Sequence, residues 1–267
     1  MNNNIVITGC SSGLGRYLAE KLAKQGNTVF AGVRSNEDVL FLERLWQKEK
    51  LSIYPILLDV TNETQCKNAI RKILQKEKDI DILINNAGIT ISKPAMESSI
   101  GNLQKLLEVN LVGAFRMMKE IIPVMIDNGK GKIINITSLN GLISLPNFAL
   151  YSASKFALQA LSNGMKYEIQ KENIWITTLA PGAIKNEQIT KEKKLPHMPL
   201  RKKFLLARIF MPMLTYNSIL KKIDNVIASE NPPETIILGA DAYITILLKR
   251  FLPGFLWERI MFYIWSK

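Results

Sequence analysis

Short apolar runs rich in β-branched residues alternate with longer stretches of helical period from the start of the chain. Ile5-Val6-Ile7 opens the series, and Leu14, Leu18 and Leu22 follow at helical spacing. Thr28–Val33, Ile53–Leu58, Ile80–Ile84, Lys132–Ile136 and Ile174–Leu179 read as further strands. Val39–Trp46, a stretch through Ile70 and Leu74, Leu103–Met125 and Tyr151–Ile169 read as the helices between them. Strands interleaved with helices of this length predict an α/β fold with a parallel sheet covered on both faces. Most of the strand runs are continuously apolar rather than alternating, as doubly covered parallel strands are. No linker, repeat or low-complexity tract interrupts the series, so residues 1–267 are read as one domain with a core over 1–184. After Gly182 the rhythm changes. Residues 185–234 are basic and broken by Pro196, Pro199, Pro212, Pro232 and Pro233. Thr235–Leu238 reads as a last strand, and Ala240–Trp265 as apolar, aromatic C-terminal helices within 235–267. Lys249, Arg250, Glu258 and Arg259 keep each uncharged run there well short of the ~20 residues a spanning helix needs.

Composition narrows the chemistry. Of 267 residues, 47% are hydrophobic, 22% charged and 26 are Gly or Pro, which is globular and argues against a disordered, collagen-like or coiled-coil chain. Cys10 and Cys66 cannot build a disulfide framework or a four-cysteine zinc site, and no metal site is expected. The one histidine, His197, excludes any site that needs a pair, and between Pro196 and Pro199 it reads as a solvated loop residue. The start, MNNNIVITG, lacks the basic segment and separate apolar stretch of a cleaved leader, so a cytoplasmic location is expected. The net charge of +12 is unevenly placed: residues 191–222 hold 9 basic and 1 acidic side chain.

Three motifs carry chemistry. Thr8-Gly9-Cys10-Ser11-Ser12-Gly13-Leu14-Gly15 follows the first strand and opens the first helix, the context a dinucleotide fingerprint requires. Its glycines admit a pyrophosphate close to the backbone, and the helix N-terminus offers it free N–H groups and partial positive charge. At the end of the second strand, Val33 cannot bind ribose hydroxyls through its side chain, whereas Arg34 can pair with a 2′-phosphate. With Ser12 as a second donor, this favours NADP(H) over NAD(H). Tyr151 and Lys155 lie four apart on one helix face, where an ammonium favours the phenolate form of the tyrosine. Ser138 ends the fifth strand at its carboxyl end, where parallel sheets bind ligands.

These pieces together resemble the short-chain dehydrogenase/reductase family over residues 4 to about 186. Asp59 in Leu58-Asp59-Val60, Asn85-Asn86-Ala87-Gly88, Asn110 in Val109-Asn110-Leu111 and Pro181-Gly182 complete the likeness. The resemblance implies a Rossmann-type doubly wound sheet and a catalytic tetrad of Asn110, Ser138, Tyr151 and Lys155. It further implies a cofactor site of Gly9, Ser11, Ser12, Gly13, Leu14, Gly15, Arg34, Asp59, Val60, Asn86, Ala87, Gly88, Tyr151, Lys155, Pro181, Gly182, Ile184 and Asn186. Asp59 would contact the adenine. Asn85 and Asn86 serve as scaffold or as a cofactor border. Many members carry Thr where Asn186 stands; an amide can make the same contact to the cofactor's carboxamide. Cys10, often Ala in the family, is expected as a buried filler.

In such proteins the segment after Pro-Gly forms the substrate lid, here within 185–234. Its run Arg201-Lys202-Lys203-Phe204-Leu205-Leu206-Ala207-Arg208-Ile209-Phe210-Met211 has the composition of an interfacial amphipathic helix. Trp257, Phe262, Tyr263 and Trp265 suit a headgroup boundary. The C-terminal composition resembles members that handle retinoids, steroids or other lipids. The expected function is therefore NADP(H)-dependent interconversion of a carbonyl and a secondary alcohol on a lipophilic small molecule. An anionic membrane surface is the expected partner of the basic segment, set against a plain wet face closing the core. A non-catalytic cofactor-binding sensor and a reductase of 3-oxoacyl thioesters are the alternatives. No nucleic-acid module is present, and the charge nearly balances outside the lid. Helices at about 103–126 and 152–170 imply, by the resemblance, a homodimer or homotetramer.

Overall fold

The computed structural model describes residues 2–185 and 213–265. The expected lid contact Asn186, His197 and the Arg201–Met211 run lie outside the described residues. Seven strands, β1 (Asn4–Ile7), β2 (Thr28–Val33), β3 (Ile53–Leu57), β4 (Ile82–Asn85), β5 (Gly131–Ile136), β6 (Ile174–Pro181) and β7 (Thr235–Leu238), form one sheet. The order is β3-β2-β1-β4-β5-β6-β7, with every pair parallel. The strand sequence turns back between β1 and β4, and a crevice at such a switch point is where open α/β sheets receive ligands.

Successive residues of a strand face opposite sides, so a sheet covered twice must be apolar at every position. Ile5 and Ile7 of β1, Ile82 and Ile84 of β4, and Ile134 and Ile136 of β5 pack on one face. That face is covered by α1 (Gly13–Lys24), α2 (Asn36–Lys48) and α7 (Tyr216–Ala228). Val6, Leu83 and Ile133 pack on the other, against α3 (Glu63–Lys76), α5 (Gly113–Asp127) and α6 (Ala149–Glu168).

Two elements differ from the sequence pattern. The Leu103–Met125 stretch is not one regular helix: α4 (Ile100–Leu107) passes through a π-helical turn, Glu108–Val112, before α5. Such turns insert one residue into a helix and recur at functional sites; this one carries Asn110. Helix α7 emerges from the proline-flanked basic stretch because Tyr216, Ile219, Leu220, Ile223 and Val226 recur at helical spacing and are buried. The C-terminal stretch divides at Leu252-Pro253 into α8 (Ala240–Phe251) and α9 (Gly254–Trp265), since proline cannot donate into a helix interior. Among the described residues no helix is long and apolar enough to cross a membrane.

Candidate active site

The glycine loop bridges β1 and α1. Gly9 and Gly13 adopt φ of +73° and +61°, which side-chain-bearing residues rarely tolerate. A Cβ on Gly15 would lie 2.3 Å from the Gly9 carbonyl oxygen, so a glycine is what lets α1 start this close to the strand end. Asn86 locks the loop from the end of β4. Its Nδ2 donates to the Thr8 and Gly9 carbonyls at 3.0 and 3.2 Å, and the Thr8 hydroxyl accepts from the Asn86 and Ala87 amides at 3.1 and 3.0 Å. Asn85 is buried and donates to Asn135 of β5, a scaffold contact. Cys10 is fully buried, with its thiol on the Ile7 carbonyl and its pKa pushed up by burial, so it fills space rather than reacts.

The start of α1 fits an anion. Ser12 occupies its N-cap without a side-chain hydrogen bond, whereas Ser35, Asn62, Ser99 and Thr215 cap α2, α3, α4 and α7 through their side chains. The Ser12 side chain therefore does not compete with an anion at this helix start, in a loop whose glycines clear its approach. Arg34 stands exposed at the end of β2, and the Cys10 amide donates to Gly32 in the same strand. At the end of β3, Asp59 accepts from the Thr61 amide and hydroxyl, and Val60 presents its carbonyl to Arg116 at 2.8 Å. Arg116 also pairs with Glu108 at 2.7 Å, which ties the Asp59–Val60 loop to the π-helical turn.

The four expected tetrad residues converge beyond β4 and β5. Asn110 is buried; its Oδ1 accepts from the Ile89 amide at 2.8 Å, and its Nδ2 donates to the Ile89 carbonyl and the Ser154 hydroxyl, each at 3.0 Å. Ser154 in turn donates to the Tyr151 carbonyl. The Lys155 Nζ donates to the Ile136 carbonyl at 2.9 Å and lies 6.0 Å from the Tyr151 ring centroid. A Cβ on Gly88 would lie 3.3 Å from the Asn110 Oδ1 and 3.5 Å from the Lys155 Nζ, so this glycine borders both. Ser138 is extended, and its Oγ accepts from the Asn140 amide. Ser138 and Thr90 both form hydrogen bonds with the Tyr151 side chain. Thr90 was not among the residues the sequence singled out; its one signal is its place two residues past Gly88.

The electrostatics differ from the sequence expectation. Burial raises the Tyr151 pKa, and the hydrogen bonds from Ser138 and Thr90 oppose it more weakly. Lys155 is not among the groups that lower it: its ammonium is turned to the Ile136 carbonyl, and burial pushes its own pKa down to about 8. At neutral pH the phenol therefore keeps its proton, which suits an acid.

At the end of β6, Pro181 is buried, and Gly182 donates to the Leu238 carbonyl. Ile184 bridges to Leu214. All the expected site residues within the described segments thus lie in the loops and turns after β1 to β6 or on the helices facing them. Ser11, Leu14 and Ala87 are half-buried along this rim.

Comparison with known proteins agrees with this geometry. A family model described as short chain dehydrogenase matches residues 3–196. The chain is 27% identical over 268 residues to an uncharacterized oxidoreductase, YbbO, of Escherichia coli K12, covering 98% of this chain and 94% of that protein. It is 31% identical over 201 residues to the 3-oxoacyl-[acyl-carrier-protein] reductase FabG of Thermotoga maritima, covering 73% and 82% respectively. Among solved structures, a gluconate 5-dehydrogenase from Burkholderia cenocepacia in complex with NADP and tartrate superposes with a TM-score of 0.79. The two are 27% identical, and the match covers 91% of this chain and 96% of that one.

Proposed function

This chain belongs to the short-chain dehydrogenase family, and on that premise we propose that it is an NADP(H)-dependent oxidoreductase interconverting a carbonyl and a secondary alcohol. The observation that carries the reading is the convergence of Tyr151, Ser138, Lys155 and Asn110 at the strand ends that also hold the glycine loop. Bound NADPH supplies a hydride. Tyr151 gives its proton to the carbonyl oxygen, and Ser138 donates a hydrogen bond that holds that oxygen in place. Lys155 holds the nicotinamide ribose. Asn110 fixes the Ile89 backbone and, through Ser154, the helix bearing Tyr151, so that a proton can be resupplied past Lys155. The α1 N-terminus, Ser11, Ser12 and the glycines hold the pyrophosphate, while Asp59, Val60, Ala87 and Gly88 border the rest of the cofactor.

Arg34 sets cofactor choice in this reading. Its exposed guanidinium follows a strand that ends in Val33 rather than in a ribose-binding carboxylate. Arg34→Asp is expected to shift the ratio of kcat/KM for NADPH over NADH by at least about tenfold, or ~1.4 kcal/mol, toward NADH. An unmoved ratio in steady-state kinetics would contradict the assignment.

The substrate is proposed to be lipophilic and to arrive from an anionic membrane surface. Tyr243, Leu247 and Phe251 of α8 and Phe255 and Phe262 of α9 are each more than half exposed, beside Arg250 and Arg259. Large exposed apolar patches of this kind mark interaction sites, and each nearby base adds ~1 kcal/mol of attraction to anionic lipid. Co-sedimentation with vesicles is expected to require anionic lipid, weaken with salt and fall when Arg201, Lys202 and Lys203 become Glu; equal recovery in the supernatant with and without vesicles would contradict it. A homodimer or homotetramer through α4–α5 and α6 is proposed alongside, supported by the exposed Phe115 and Phe156.

The 31% identity to a 3-oxoacyl carrier-protein reductase favours one second reading, in which the basic lid contacts the phosphate of an acyl carrier. A KM that rises with salt for acyl thioesters but not for neutral ketones would separate it from the first.

A further inference from the structure

The β6–β7 ladder ends at the pair Pro181 and Leu238, past which the Gly182 amide still donates to the Leu238 carbonyl. A side chain from the C-terminal helices takes over there. Asp241, in the first turn of α8, accepts from the Ala183 amide at 2.8 Å through Oδ2. Its carboxylate is lodged between two glycines. A Cβ on Gly182 would lie 2.3 and 2.4 Å from the two carboxylate oxygens, and one on Gly239 would lie 2.3 Å from Oδ1. Gly239 also has φ of +103°. Oδ1 is buried with no hydrogen-bond partner among the described residues. An unpaired buried oxygen is unfavourable, and native structures keep few of them. One residue further on, Ala242 is fully buried against Leu139 and Ile143, in the loop that follows Ser138. The start of α8 therefore touches both the Pro181–Ala183 turn and the Ser138 loop.

We propose that Asp241 is a positioning residue: its carboxylate, clasped by Gly182 and Gly239, fixes the Pro181–Ala183 turn relative to the Ser138 loop, the two segments that would border the nicotinamide end of the cofactor. This rests on the cofactor reading above. A carboxylate at this place does what one further ladder hydrogen bond would do. It also leaves both neighbouring backbones no room for a side chain.

The test compares Asp241→Ala, Asp241→Asn and a control, Val226→Ala, which trims the α7 core away from the turn and lowers thermal stability on its own. Three quantities are read: melting temperature, hydrogen exchange of the Ala183 amide without cofactor, and NADPH affinity by fluorescence titration. Asp241→Ala is expected to weaken NADPH binding at least about tenfold, or ~1.4 kcal/mol. It is also expected to speed Ala183 exchange. Val226→Ala should leave both unchanged at a comparable loss of melting temperature, and Asp241→Asn, which keeps an acceptor oxygen, should restore most of the affinity. NADPH affinity in Asp241→Ala equal to that of the control, with the wild type binding normally, would overturn the positioning role alone. Failure of the wild type to bind NADPH would overturn the cofactor reading and this role with it, while Ala183 exchange would still report whether the clasp exists.

Discussion

Tyr151→Phe is expected to lower kcat for carbonyl reduction on the order of 10² to 10⁴-fold, the range general acid catalysis supplies, while NADPH affinity stays within about threefold of wild type. The phenol has two hydroxyl partners, Ser138 and Thr90, and burial keeps its proton in place at neutral pH. Phenylalanine keeps the ring, which packs edge-on against Phe148 at 6.4 Å, and removes only the group that handles the proton. Stopped-flow single turnovers with NADPH and a ketone would separate this step from binding. A Tyr151→Phe protein that reduces the ketone at the wild-type rate would remove Tyr151 from the chemistry.

Lys155→Met is expected to move activity and stability in opposite directions. Burial pushes the Lys155 pKa down to about 8, below the ~10.4 of an unfolded lysine. Between those values the unfolded chain binds more protons than the folded one, so this group's contribution to stability rises with pH across that window. Below pH about 8 the buried charge costs folding in full, on the order of 3 kcal/mol from the size of the shift. Losing the hydrogen bond to the Ile136 carbonyl returns part of that, about 1 kcal/mol. The methionine variant should therefore be more stable than wild type by roughly 2 kcal/mol at pH 7, with the advantage shrinking as pH rises past 8 toward 10. Turnover should fall in the same protein, because the ribose contact and the proton path are gone. Urea denaturation of both proteins at pH 7 and pH 10 measures the difference. A variant less stable at pH 7, or a difference that ignores pH, would show that the Lys155 charge is not carried at a cost.

The sheet was legible because its chemistry is periodic. Ile5 and Ile7 must serve one face and Val6 the other, so β1 reads as a continuous apolar run, and β4 and β5 repeat the arrangement. Tyr151 and Lys155 were legible because four residues make one helical turn, and the glycine loop because α1 cannot start so near Gly9 with a Cβ on Gly15. What stayed illegible depends on distant partners. Asp241 and Ala183 are 58 residues apart, and nothing near either announces the other. The π-helical turn at Asn110 leaves the apolar period of Leu103–Met125 almost undisturbed. Thr90 meets Tyr151 only once β4 and α6 are placed. The direction of the Tyr151 shift could not be read from a neighbouring lysine, because burial acts on both residues and burial is a property of the fold.

The central claim is that the Tyr151 site turns over carbonyls or alcohols with a nicotinamide cofactor. The most direct measurement follows absorbance at 340 nm with purified protein, supplying NADPH with steroid, retinoid and fatty ketones and 3-oxoacyl thioesters and NADP+ with the corresponding alcohols, with Tyr151→Phe run beside the wild type. The expected result is NADPH consumption with at least one lipophilic carbonyl that disappears in the variant. Tight NADPH binding with no turnover of any carbonyl or alcohol would contradict the claim and leave a cofactor-binding sensor on the same fold, and turnover equal in both proteins would contradict it by placing the chemistry away from Tyr151.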